Sequence, residues 1–339
     1  MAIIICLVLC SSGCIMDDIE SMINILDQNH PGSFDLEILG ITLAPENPGA
    51  GEMVEVSVTI ANRGRKRSKD VPLCLTIGNQ EVSRSTVPPI NGGNQLVIAL
   101  ENRLALPSGI TTLKLDIGTG EDSDDAKRHN DILATTIVVG EPSNTSQFSW
   151  SYGGLEWYLT LRSPAGDIRV LDQERPIYSY DDYLEFIKPG DRTVSALADA
   201  LSFYTDHMEY QSYDEVSFIL AFVQELPYTS DLEYMGRNFP RYPIETLIDG
   251  TGDCEDSSAL FASVVSNSEF FNYGAALIII DDHMGVGVSG NEGVGGVYFQ
   301  VQTSSRRYYY CETTGRGYAI GDMPEDYQGA EIQELIEIH

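Results

Sequence analysis

Between residues 52 and 117 apolar and polar side chains alternate in short runs, and this period of two confines that part of the chain to β-sheet. The runs are Glu52 to Ile60, Val71 to Ile77, Leu96 to Leu100 and Thr111 to Ile117, divided by turns rich in Gly, Pro, Asn and Asp. Each has one apolar face, so the strands must close into two facing antiparallel sheets, and residues 35–140 read as a β-sandwich. The basic run Arg63 to Lys69 lies between strands and reads as a solvated hairpin, whereas Cys74 falls in a strand and reads as core.

Beyond a linker at 141–148 the texture changes to mixed helix and strand. Strands over Ser149 to Leu161 enter a second domain, 149–339, and helical spacing follows at Val194 to Tyr204 and Asp214 to Leu226. The second helix opens on the capping-box pattern Ser212-x-x-Glu215 and stops at Pro227. The Gly- and Asp-rich loop ending in Gly-Asp-Cys-Glu-Asp (252 to 256) precedes apolar residues Leu260, Phe261, Val264 and Val265 at helical spacing. Cys254 therefore lies in a first turn, where unpaired backbone N–H groups and the helix dipole favour an anion and can make the thiol a nucleophile.

A nucleophilic thiol needs a base, and the chain has five histidines. His30, His129, His207 and His339 lie in a leading segment, an acidic loop, the end of a helix and the last position. His283 follows the buried-strand pattern Ala275 to Ile280 and opens an alternating segment that puts His283, Gly285 and Gly287 on one face. The glycines are read as leaving room for a substrate backbone. The next strand, from Arg307, ends on Glu312, a carboxylate able to orient the imidazole; Cys311 points to the opposite face and reads as core packing.

The order Cys254, His283, Glu312, with the nucleophile opening a helix and its partners on adjacent strands, resembles the transglutaminase-like superfamily of papain-like thiol enzymes. Gly-Asp-Cys-Glu-Asp is similar to the corresponding run of bacterial transglutaminase-like cysteine peptidases, and the block from Phe222 to Glu312 resembles archaeal transglutaminase-like proteins. The family's third position is usually aspartate in an Asp-x-Thr context, where this chain has Glu312-Thr-Thr314. Papain-like enzymes often add a side-chain donor upstream of the cysteine, which makes Gln224 a candidate oxyanion donor beside the Cys254 N–H; Arg237, Arg241 and Tyr242 are candidates to line the cleft. In the first domain Gly-Glu-x-Val-x-Val-x-Val (51 to 58), Asn62-Arg-Gly64 and His129-Asn-Asp131 resemble the CARDB type of immunoglobulin-like domain of prokaryotic surface proteins. The expected fold is thus an all-β Ig-like sandwich followed by an α+β papain-like, transglutaminase-like domain.

Asp253, Glu255 and Asp256 oppose a thiolate by like-charge repulsion. Either Asp253 and Asp256 cap the helix, or the three carboxylates hold a hard cation such as calcium; in the resembling peptidases the residues flanking the cysteine bind calcium. No other cofactor is called for by the proposed chemistry.

The N-terminus, Ala2 to Leu9 and then Ser11-Ser-Gly-Cys14, reads as a signal peptide over 1–14 with a lipobox-like Cys14 as lipid-attachment site, and 15–34 as a tether. The expected location is extracytoplasmic, at the cell surface, with the membrane reached only through that anchor. Asn144-Thr-Ser146 forms a glycosylation sequon. A net charge of −31, from 20 basic and 51 acidic side chains, excludes nucleic acid and anionic membrane as partners. Cys74, Cys254 and Cys311 are too few for a disulfide framework. The expected activity is that of a cysteine peptidase or amidase acting on surface proteins or peptides, with protein-glutamine crosslinking and a non-catalytic surface-binding role as alternatives.

Overall fold

A computed structural model describes residues 33–118, 128–167, 175–231, 236, 239–290, 295–301 and 306–339. The signal, lipobox and most of the tether, with Cys14 and His30, lie outside them, as does Arg237.

Alternation becomes sheet where the sequence indicates. Strands β1 (Leu36–Ala44), β2 (Met53–Asn62), β3 (Val71–Ile77), β4 (Gln80–Val87), β5 (Gln95–Ala99), β6 (Leu104–Ala105), β7 (Gly109–Ile117) and β8 (Ile132–Val139) form two facing sheets. The first has the order β1-β2-β5, with β6 also paired to β2. Inward residues of β2 (Val54, Val56, Val58 and Ile60) meet Leu73, Leu75, Leu113 and Leu115 from the second sheet in one apolar core. Asn62 knits the turn after β2: its amide donates to Lys66 O (2.7 Å) and Ile90 O (2.8 Å), and its Oδ1 accepts from Asp35 N and Gly64 N. Gly64 is required there, since a Cβ would come within 2.6 Å of the Phe34 backbone. Cys74 is half-buried, facing away from Leu73 and Leu75, so it is not a core residue.

The stretch expected as a linker is instead the start of a strand. β9 (Ser143–Tyr152) and β10 (Leu155–Pro164) make a hairpin that extends the second sheet to β4-β3-β7-β8-β10-β9, with β10 parallel to β8. Asn144 sits in β9 opposite Ser163, with its side-chain nitrogen buried, rather than in a free linker. Polar side chains reinforce the parallel joint. Thr135 donates to Thr160 O (3.1 Å) and Thr136 to Arg162 O (3.0 Å), while the Tyr204 hydroxyl accepts from Ala134 N and donates to Tyr158 O, each at 2.8 Å.

Helices α1 (Arg192–His207), α2 (Tyr213–Gln224), α3 (Pro243–Asp249) and α4 (Cys254–Val265) follow. α1 packs on β7 and β8 and places Asp199 against Lys114 in a buried ion pair across the two parts of the chain. The anticipated capping box of α2 does not form: Ser212 makes no side-chain cap bond, and Glu215 instead accepts from the Tyr273 hydroxyl. Every residue of α4 is buried. It lies between α2, α3 and a third sheet, β13-β14-β12-β11-β15, made of β11 (Ala275–Ile280), β12 (His283–Val288), β13 (Tyr298–Gln300), β14 (Arg307–Cys311) and β15 (Ile332–Glu337). The layers run sheet, sheet, helices, sheet. Among the described residues no helix is long and apolar enough to cross a membrane.

Candidate active site

Cys254 is the first residue of α4, after Asp253 as N-cap in extended conformation. One turn on, Ser258 ties the helix to both neighbouring strands, donating to Met284 O (3.1 Å) and meeting the Thr313 hydroxyl at 3.1 Å. That register sets the Cys254 sulfur near β12, where the backbone N–H of Met284, the residue after His283, favours the thiolate. The thiol itself donates to Glu255 Oε2 at 3.1 Å rather than to an imidazole. Burial first, then the charges of Glu255 and Asp253, push the thiol well above the ordinary cysteine range, and the Met284 N–H opposes them.

His283 and Glu312 are joined, Nε2 to Oε2, at 2.9 Å. Glu312 Oε2 also accepts from the Tyr310 hydroxyl (2.9 Å), and Oε1 accepts from Thr314 N (3.0 Å) and Thr314 Oγ1 (2.6 Å). Burial raises the Glu312 pKa, but the His283 hydrogen bond and charge and the two Thr314 bonds outweigh it and hold the group below the usual carboxylate range. With Nε2 on Glu312, the imidazole's remaining nitrogen is Nδ1, the ring nitrogen nearer the strand backbone. Tyr327, in a short 3-10 turn, stacks on the imidazole with centroids 4.3 Å apart and planes at 5°.

The glycines of β12 have a different role from the one expected. A Cβ at Gly285 would lie 2.6 Å from the Tyr310 ring, and one at Gly287 2.6 Å from Tyr308 Cβ. They admit tyrosines of β14, including the one that holds Glu312, rather than a substrate backbone.

Gln224 is not an oxyanion donor. It is buried, its Nε2 donates to Glu312 O (2.8 Å) and Tyr318 O (3.0 Å), and its Oε1 accepts from Gly317 N (3.2 Å), so the whole amide fastens the loop after β14. Arg241 is also buried, paired with Asp231, Asp249 and Asp256, and the Tyr242 hydroxyl donates to Glu185.

The three acidic neighbours of the thiol part company. Asp256, fully buried, is taken by Arg241: it accepts from the backbone N–H (2.7 Å) and from the guanidinium, which removes it from a cation site. Asp253 and Asp256 do form a reciprocal cap, but at 3.5 and 3.4 Å, the outer limit of a hydrogen bond. Asp253 and Glu255 instead converge with Asp231, their nearest oxygens all within 4.8 Å. Burial, followed by the charges of Asp256, Glu255 and Asp231, lifts the Asp253 pKa to about 9. The donor set is all carboxylate, which suits a hard cation, with Asp231 shared with Arg241 (2.7 Å) and Phe239 N (2.8 Å), and with Asp253 and Glu255 bearing the charge that Arg241 does not meet.

Sequence reasoning did not find Asp231, Tyr310 or Tyr327. Tyr310 was within reach, because alternation along β14 puts it on the Glu312 face; Tyr327 and Asp231 reach the site by folds of loops that carry no periodic signal.

The comparisons bear on the first part of the chain. Residues 33–135 match the CARDB family. They form a CARDB domain. A crystal structure of a CARDB domain from Pyrococcus furiosus, in complex with di-metal ions, is 15% identical, with a TM-score of 0.28, and the match covers 32% of this chain and 94% of that one. A domain of a Methanosarcina acetivorans protein described as a cell surface protein is 19% identical, with a TM-score of 0.29, covering 32% and 92%. A β-glucosidase from Paenibacillus barengoltzii is 11% identical, with a TM-score of 0.20, over 70% of this chain and 38% of that one. TM-scores this low carry no argument about activity. No curated protein matches the chain significantly. The CARDB match ends before β9, so the residues around Cys254 lie outside it.

Proposed function

We propose that the protein is an extracytoplasmic thiol acyl-transfer enzyme of transglutaminase-like, papain-like type, a cysteine peptidase or amidase using Cys254, His283 and Glu312. The observation that carries this reading is His283 bonded through Nε2 to Glu312, with Cys254 opening the helix that packs on the strand of His283. In the reaction His283 Nδ1 takes the thiol proton and Sγ attacks an amide carbonyl. The Cys254 N–H stabilises the oxyanion, and the imidazolium returns its proton to the leaving amine. Water then releases the acyl group with the same histidine as base. A cell-surface location through a lipid on Cys14 accords with the CARDB domain. Asp231, Asp253 and Glu255 would hold a calcium ion, whose charge would draw Glu255 away from the thiol; the six to eight oxygens such an ion takes would be completed by water or carbonyls.

A second reading, a non-catalytic surface-binding protein, is favoured by one observation, the thiol's hydrogen bond to Glu255. The pH dependence of Cys254 alkylation by iodoacetamide in wild type and His283→Ala separates the two. Alkylation that persists below the pH at which a free thiol reacts, and is lost in the variant, is expected for the enzyme; identical profiles resembling free cysteine would rule it out.

A further inference from the structure

His283 is the first residue of β12, and the strand ladder holds its backbone on one side only: Ile280 of β11 lies opposite it, whereas pairing with β14 begins at Val286. The imidazole therefore depends on its own contacts. Its bond to Glu312 joins Nε2 to Oε2 at 2.9 Å. One such bond fixes a point on a planar ring, and the broad terminal torsion of histidine leaves the ring free to swing about it. Swinging matters for a base, because it carries Nδ1 out of reach of the proton it must take. A second constraint is needed, and Tyr327 supplies it: its ring lies flat on the imidazole, with centroids 4.3 Å apart and planes at 5°.

The turn that carries Tyr327 presents that one ring to the site. Tyr327 N donates to Pro324 O (3.0 Å), Ala330 N to Tyr327 O (3.1 Å) and the Gln328 amide to Met323 O (3.0 Å). Glu325, Asp326, Gln328 and Gly329 are exposed, whereas Tyr327 is half-buried and packs on the cluster of Ile278, Ile280, Tyr310 and Met323. The face of an aromatic ring carries negative charge density, so the stack favours the imidazolium over the neutral imidazole. Glu312 stabilises the same cation from the ring edge, and as a full charge at hydrogen-bond distance its effect is the larger. What the phenol ring adds is geometric: it blocks rotation of the imidazole and closes one face of the Nε2–Oε2 bond to water.

We propose that Tyr327 is a positioning residue for the acyl transfer: its ring, independent of its hydroxyl, holds the His283 imidazole with Nε2 on Glu312 and leaves Nδ1 as the base that receives the Cys254 proton. The inference rests on the acyl-transfer reading above. It is tested in the full chain by comparing Tyr327→Phe, which keeps the ring, with Tyr327→Leu, which removes it, both in a Cys74→Ser background. The first readout is the His283 Nε2 proton in proton–nitrogen NMR spectra of histidine-labelled protein. It should be observed and slow to exchange with water in the parent and in Tyr327→Phe, and lost to exchange in Tyr327→Leu. The second is the p-nitrophenol burst from p-nitrophenyl acetate, whose rate should stay within about twofold of the parent in Tyr327→Phe and fall about tenfold in Tyr327→Leu. An Nε2 proton equally protected in all three proteins would overturn the proposal, as would a Tyr327→Phe variant as impaired as Tyr327→Leu, which would assign the effect to the hydroxyl. Should Tyr327→Leu not fold, ring-to-ring Overhauser contacts between His283 and residue 327 decide: their presence in both the parent and Tyr327→Phe supports the proposal, and their absence from either refutes it. Failure of the underlying reading looks different. A parent protein that gives no burst, while its Nε2 proton still responds to Tyr327→Leu, would sink the acyl transfer and leave the hold on the imidazole standing.

Discussion

Glu255→Gln is the perturbation that most directly tests how the thiol is controlled. Glu255 Oε2 accepts from Sγ at 3.1 Å, and both residues are about nine-tenths buried, so little water screens the carboxylate from a thiolate. At an effective dielectric of about 20, a unit charge at that separation opposes the thiolate by on the order of 5 kcal/mol, or about four pH units. Glutamine keeps the shape and removes the charge, while Asp253 continues to repel, so a fall of roughly two units or more in the Cys254 pKa is expected. The assay is the pH profile of iodoacetamide alkylation in EDTA, read at the Cys254 peptide in a Cys74→Ser background; Cys311, with no exposed surface, does not compete. The inflection, rather than the rate at one pH, is the correct readout, because nucleophilicity falls as the pKa falls. An inflection unmoved by Glu255→Gln would show that burial alone sets the thiol, and would refute the electrostatic account of this site.

Glu312→Gln should slow acylation of Cys254 by p-nitrophenyl acetate by up to about 10⁴-fold, the loss seen when an orienting carboxylate becomes an amide, measured by the p-nitrophenol burst. The same carboxylate governs acid stability. Its folded pKa is depressed, so it binds protons less readily folded than unfolded; its stabilisation is present above the ordinary value of 4.5 and is lost as pH falls through the lower folded value. Urea midpoints between neutral and acid pH should therefore drop less steeply in Glu312→Gln than in wild type. Lys114→Met leaves Asp199 buried without its cation and should cost about 3–5 kcal/mol in urea unfolding, most of it recovered by adding Asp199→Leu. Calorimetric titration with calcium should show binding that Asp231→Asn or Asp253→Asn abolishes, whereas Asp256→Asn should lower stability through Arg241 and leave binding in place.

Strands β2, β3, β5 and β7 of the CARDB domain were legible from their period of two, and β11 from its apolar run; Val71 to Ile77 and Ala275 to Ile280 fall where the alternation and the apolar run put them, whereas β1, β4, β6 and β8 were not read. The start of β9 was not legible. Ser143 to Gln147 is Ser-, Thr- and Asn-rich, the composition of a loop, and becomes strand because β10 offers it a full antiparallel ladder at the sheet edge. The linkage of His283 to Glu312 could be anticipated from two strand ends, but the fate of Gln224 could not: a glutamine on a helix looks solvent-facing until the loop carrying Tyr318 folds over it and takes both its donors. Of the two readings of Asp256, the cap forms and the cation site does not take it. Its sequence neighbours suggested a cation, and Arg241, 15 residues away, supplied one.

The CARDB domain and the Cys254 region are not connected as a bead and a tether. Their shared six-stranded sheet changes from antiparallel to parallel between β8 and β10, where only Thr160 and Thr135 are in register, and the deficit is made up by threonine hydroxyls and by Tyr204 of α1. The face of that sheet away from the sandwich core supplies Ile132, Ala134, Trp157 and Leu159 to the same apolar core that encloses α2 and α4. The position of Cys254 therefore depends on a chain of packed layers that starts in the sandwich: β8 holds α1 through Tyr204, and α1 and α2 pack against α4. Through Ser258, α4 then fixes the strands that carry His283 and Glu312. Close-packed interiors transmit such constraints without slack, so the sandwich serves as one wall of the scaffold that positions Cys254.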